Sequence, residues 1–131
     1  MIIWDESMST GVTIIDDQHK MLFNKFNELS SVITEATARE AAGSLLDFLQ
    51  FYAAWHFKRE ENCMDEYKCP IAAENKQAHG YFLEKFDQFY TQWQKENMTP
   101  KLVNDTYTEL ENWLLQHVAQ TDTRLRSCVK K

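Results

Sequence analysis

The chain has 131 residues, of which 44% are hydrophobic and 26% charged, and its formal net charge is −6. This is the balance of an ordinary globular domain, and 3 Gly and 2 Pro are too few for the turns of a β-sandwich or barrel and too few for a disordered chain. No apolar run is long enough to span a bilayer, and an acidic chain whose one dense basic cluster is Arg124, Arg126, Lys130 and Lys131 argues against nucleic acid as a partner.

The first residues, through Gly11, lack helical periodicity and read as a leader. They lack the basic and apolar segments of a signal peptide, so the expected location is cytoplasmic. Asp16 is placed to cap a first helix over 17–36. Thr37-Ala-Arg-Glu40 has capping-box spacing and opens a second helix over 38–66. Cys69-Pro70 breaks the chain before a third helix over 71–96. Asn97-Met-Thr-Pro100 is a break and restart, with Thr99 as cap and Pro100 at the first position of a fourth helix over 100–127. Cys63, Cys69 and Cys128 form an odd set without C-x-x-C spacing, and reduced thiols are expected.

Each helix carries an apolar stripe at steps of three and four. The first reads Ile15, His19, Leu22, Phe26, Leu29, Ile33; the second reads Leu45, Leu49, Tyr52, His56, Glu60, Cys63. The third reads Asn75, His79, Phe82, Phe86, Phe89, Trp93. The fourth reads Val103, Thr106, Leu110, Trp113 and Leu114, His117, Thr121, Leu125. Short connections between such helices predict an all-α, up-down-up-down four-helix bundle with an N-terminal leader, forming one domain over 1–131.

The chain has four histidines, one on the stripe of each helix. In an antiparallel bundle, the starts of the first and third helices meet the ends of the second and fourth. His19, His56, His79 and His117 therefore share one layer. Four buried imidazoles without a purpose each carry a desolvation cost, which a bound metal offsets. Glu60 lies one turn beyond His56 on the same face, whereas neighbouring Glu61 reads as the solvated residue. Asp122 follows His117 by five places and is turned away by about 140° in an ideal α-helix; a π-bulge would bring it round. Oxygen donors mixed with imidazoles suit iron or manganese better than a thiolate-selecting zinc site. Haem leaves two histidines and Glu60 unexplained.

At these residues the sequence resembles the hemerythrins, non-haem di-iron oxygen binders, and most of all their single-domain bacterial branch. Trp4-Asp5, the run Ile15-Asp16-Asp17-Gln18-His19-Lys20 with Leu22-Phe23, and His56-Phe57-Lys58-Arg59-Glu60-Glu61 with Met64 carry the first half of the resemblance. His79 with Phe82-Leu83, and Trp113-Leu114-Leu115-Gln116-His117 with Thr121-Asp122, carry the second. The resemblance implies two oxo- or hydroxo-bridged iron ions. His19 and His56 would serve the iron where dioxygen lands, His79 and His117 the other, and Glu60 and Asp122 would bridge them. It also implies a dry pocket lined by Leu22, Phe57, Trp113, Leu114 and Val118.

One departure stands out. The family's third helix carries two histidines four apart, and here Asn75 occupies the first of those places. One imidazole fewer leaves a second coordination place open, to be filled by the Asn75 carbonyl oxygen or by water. A labile or substituted second metal is therefore expected. Glu74 points about 100° away on an ideal helix.

The leading expectation is dioxygen storage or delivery, without catalysis, to a protein that consumes the oxygen. The alternatives are a di-iron or mixed-metal redox enzyme turning over peroxide, ferrous iron or nitric oxide, and an oxygen or redox sensor module. A sensor is expected to carry an output domain, and the chain ends soon after the fourth helix.

Overall fold

A computed structural model describes residues 2–96 and 98–129; Met1, Asn97, Lys130 and Lys131 lie outside the described residues. The long helices are α1 (Thr13–Val32), α2 (Arg39–Glu66), α3 (Ala72–Gln94) and α4 (Pro100–Gln116). α1 packs on α2, α2 on α3 and α3 on α4, giving the up-down-up-down bundle that the stripes predict. No helix among the described residues is long and apolar enough to cross a membrane.

The stripes of α1 and α3 are buried at every expected position. In α2 the buried face runs Ala42, Leu46, Leu49, Ala53, His56, Phe57, Glu60 and Met64. Leu45, Tyr52 and Cys63 of the expected stripe sit only at its half-buried border. α2 is flanked by both α1 and α3, so it buries a broader arc than one row of residues.

Helix starts depart from expectation where the leader and the turns intervene. α1 begins at Thr13, and Asp16 lies inside its first turn. The Asp16 carboxylate accepts hydrogen bonds from the Thr10 backbone N–H (2.8 Å), the Thr10 hydroxyl (2.9 Å) and the Ser9 hydroxyl (2.7 Å). It ties down the leader instead of capping the helix. Gly11 makes the turn between them at φ +81°, a conformation that favours glycine. α2 has no side-chain cap, because a 3-10 turn over Ala36–Ala38 runs straight into it; Thr37 and Glu40 therefore form no capping box. Thr99 does cap α4, accepting from the Leu102 N–H at 3.1 Å, with Pro100 in first position.

The fourth helix is not continuous. After Gln116 the backbone widens into a π-helical segment, His117–Thr121, tightens into a 3-10 turn, Asp122–Arg124, and ends in α5 (Leu125–Val129). Arg126 donates to the backbone oxygens of Ser7 and Ser9 and holds the leader against this segment.

A small second core of Met64, Cys69, Ile71, Leu125 and Cys128 closes this end of the molecule. Cys69 and Cys128 are joined there as a disulfide, with a Cα separation of 5.6 Å, which corrects the expectation of reduced thiols for this pair. Their sequence separation is 59 residues, so only the folded path brings them together. Cys63 is free.

Across the bundle, the Tyr107 hydroxyl donates to the backbone oxygen of Phe26, and the two rings stack at 5.7 Å. Tyr107→Phe keeps the stacking and deletes that hydrogen bond. It is expected to cost about 1 kcal/mol, read as a fall of about 4 °C in Tm. An unchanged Tm would show that the hydroxyl contributes nothing to holding α1 and α4 together.

Candidate metal centre

The polar layer is assembled from the first three long helices and the irregular turns that follow α4. α1 supplies Gln18 and His19, α2 supplies His56, Glu60 and Glu61, and α3 supplies Asn75 and His79. The π-helical segment supplies His117 and the 3-10 turn Asp122. The widened turn sets the last pair. The Asp122 N–H bonds to the carbonyl of His117, five residues back, so the two side chains share a face that regular α-helix would deny them.

The imidazoles converge on the two carboxylates. His19 Nε2 lies 3.1 Å from both Glu60 Oε2 and Asp122 Oδ2. His56 Nε2 lies 3.5 Å from Glu60 Oε2. On the other side, His79 Nε2 lies 3.1 Å from Glu60 Oε1, and His117 Nε2 lies 3.1 Å from Asp122 Oδ1. Each carboxylate thus turns one oxygen toward each pair of imidazoles. Two groups result, His19–His56–Glu60–Asp122 and Glu60–His79–His117–Asp122, and within each the ligand atoms lie within 4.8 Å of one another.

These short contacts are mostly not hydrogen bonds. His56 Nε2, His79 Nε2, His117 Nε2 and both Asp122 carboxylate oxygens are buried without a hydrogen-bond partner. Buried polar atoms are rarely left so, and their clustering in one layer is what side chains aimed at a shared third atom produce. The donor set, imidazole nitrogen with carboxylate oxygen, fits a pair of divalent iron-like ions.

Charge is unevenly held in the layer. Burial opposes protonation of His19, but the Asp122 and Glu60 carboxylates outweigh it and push its pKa up to about 10. Burial dominates at His56 and lowers its pKa. At His79 burial is outweighed by Glu60, Asp122 and Glu61, and the pKa rises. Burial also works against ionised Glu60, yet the His19, His56 and His79 rings hold its carboxyl well below the usual range.

Behind the imidazoles stand two residues that sequence reasoning left out of the site. The Gln18 carboxamide oxygen accepts from His56 Nδ1 at 2.7 Å. Glu61 Oε2 accepts from His79 Nδ1 at 2.9 Å. Both partners can only accept there, so each fixes the proton on Nδ1 and leaves Nε2 as a lone pair facing the carboxylates. Glu61, expected to be solvated, has a side chain only 16% exposed, because it faces α3 rather than open water.

Asn75 is fully buried. Its Nδ2 donates to Glu60 Oε1 at 3.1 Å and to Met64 Sδ at 3.2 Å, whereas its carbonyl oxygen has no hydrogen-bond partner. Glu74 stays outside, 3.7 Å from the Arg124 guanidinium. Phe57 stacks on His79 at a ring separation of 3.9 Å and Trp113 on His117 at 4.6 Å. Leu22, Leu114 and Val118 are buried and Trp113 is half-buried.

A family model described as hemerythrin HHE cation binding domain matches residues 10–127. A bacteriohemerythrin of Stenotrophomonas maltophilia (strain R551-3) is 28% identical over 99% of this chain and 82% of its own. The hemerythrin of Themiste dyscrita is 30% identical over 94% of this chain and 89% of its own. A crystal structure of wild-type hemerythrin has the same fold, with a TM-score of 0.87 at 25% identity over 100% of this chain and 99% of that one.

Proposed function

The chain belongs to the hemerythrin family, and on that premise we propose that it is a non-haem di-iron protein that binds dioxygen reversibly, for storage or for delivery to a protein that consumes it. The observation that carries this reading is the pair of two-histidine, two-carboxylate groups sharing Glu60 and Asp122. His19 and His56 would hold one ion, His79 and His117 the other, and the shared carboxylates would bridge them. A ferrous pair supplies the two electrons that dioxygen takes up on binding and returns on release.

The remaining work belongs to the chain. Gln18 and Glu61 hold the protons of His56 and His79 on the outer nitrogens. The Phe57 and Trp113 rings lie flat against His79 and His117 and keep water from those faces. Leu22, Leu114 and Val118 are part of the same apolar core. A dry surround slows proton entry, which is what reversible binding requires.

A second reading, redox turnover of peroxide, ferrous iron or nitric oxide, is favoured by one observation. Asn75 presents its amide nitrogen to Glu60, so the His79–His117 side has no third imidazole, and small molecules gain a second place to react. Iron content measured with absorption spectra under air and under nitrogen tests both readings. Oxygen binding predicts more than one iron per chain, rising toward two when ferrous iron is added, and a spectrum that reverses between the gases. Steady consumption of oxygen or peroxide supports turnover instead. A Soret band or a metal-free chain overturns the di-iron reading.

A further inference from the structure

The two ligand groups are matched in type, yet what stands behind them is not. Resting on the two-ion reading above, we infer that Glu61 is a positioning residue that makes the His79–His117 position the tighter of the two, so that it fills first. His79 carries a carboxylate on its outer nitrogen, at 2.9 Å. His56 carries a neutral carboxamide, at 2.7 Å. The outer nitrogen of His19 is buried with no hydrogen-bond partner.

A carboxylate on Nδ1–H fixes the ring and raises the basicity of the opposite nitrogen, and a full charge does so more strongly than an amide dipole. Phe57 lies parallel to the His79 ring at 3.9 Å and excludes water from that face, so the influence of Glu61 is felt at reduced screening. Two divalent ions outweigh the charges of Glu60 and Asp122, and Glu61 places a third negative charge on the His79 side. One contact works the other way. The Asn75 amide donates to Glu60 Oε1, the oxygen facing His79, and draws density from it. That is a neutral hydrogen bond to a carboxylate shared by both groups, whereas Glu61 acts on one side alone.

Repulsion between neighbouring cations separates two binding steps even in a symmetric centre, so the order of filling is the diagnostic. The full chain is stripped of metal, labelled with nitrogen-15 and titrated with Zn²⁺ alone, which is diamagnetic and redox-silent. Ring-nitrogen resonances report which imidazoles shift, and calorimetry gives the affinities. In the wild-type chain, His79 and His117 are expected to shift with the first equivalent, His19 and His56 with the second. Glu61→Gln should weaken the first step by roughly 10- to 100-fold and spread the first equivalent over both pairs. Glu61→Asp, which keeps the charge, should restore part of the order, a recovery that simple packing damage would not give. Gln18→Glu should draw the first equivalent toward His19 and His56. First filling at His19–His56 in the wild-type chain, or an unchanged order in Glu61→Gln, overturns the role of Glu61 while leaving the two-ion reading intact. A folded wild-type chain that takes up no Zn²⁺ overturns both.

Discussion

Glu60→Gln is expected to strip both metal positions while destabilising the metal-free bundle less than Glu60→Ala does. Like Asp122, Glu60 turns its two oxygens to imidazoles of both groups, facing His19 and His56 through Oε2 and His79 through Oε1. Glutamine keeps the volume of a fully buried side chain but carries no charge to set against two cations. At about 4 Å and an effective dielectric of about 20, two unit charges interact by roughly 4 kcal/mol, close to a thousandfold in affinity, and a divalent ion loses more than that. Iron analysis of the purified variant should therefore find only traces. Glu60→Ala should lose the metal equally and also damage the fold, because it opens a void, takes from His19 one of its two carboxylates and leaves the Asn75 amide only Met64 Sδ. Removing one partner from a buried charged set costs about 3–5 kcal/mol, so its metal-free Tm should fall by about 10 °C or more. Iron retained at wild-type levels by Glu60→Gln would mean that the carboxylate does not bridge.

The contrast between these two substitutions shows what a sequence does and does not disclose. Periodicity placed His19, His79 and Asn75 in the core, because the stripes of α1 and α3 are regular for their whole length and each is buried along one row. The same logic located Glu60, one turn beyond His56. It could not by itself select Asp122, since the five-residue step from His117 suits only a widened turn; the family resemblance pointed to that carboxylate, and the π-helical segment His117–Thr121 supplies the turn. Residues whose roles come from a neighbouring helix stayed hidden. Glu61 reads as solvated from its own helix, and only the approach of α3 brings His79 Nδ1 to it. Asp16 reads as a cap, and only the path of the leader makes it an anchor for Ser9 and Thr10. The Cys69–Cys128 pair spans the chain ends of two elements, a proximity that spacing cannot encode.

Asn75→His should have opposite effects on the metal-free and the metal-loaded protein. Asn75 is fully buried, with its amide against Met64 Sδ at 3.2 Å and Glu60 Oε1 at 3.1 Å. An imidazole is larger, and overpacking a filled core costs about 1–3 kcal/mol, so the metal-free variant should melt about 4–10 °C lower. Met64 softens this cost, since an unbranched thioether can repack. With iron added, the new imidazole stands one turn before His79 on α3 and gives the His79–His117 position a third nitrogen donor. The ion at that position should then be held at least about 10-fold more tightly, and the stabilisation that comes from binding only the folded state grows by about 1.4 kcal/mol for each such factor. Tm of the loaded variant should equal or exceed that of the loaded wild-type chain, while loss of iron to a chelator slows. Oxidation in air should slow as well, because an open place for water is filled. Melts of both forms, with and without iron, give the sign directly. If Asn75→His lowers Tm equally in both forms and leaves chelator kinetics unchanged, position 75 does not address the metal, and the wild-type asparagine is only a packed donor to Glu60.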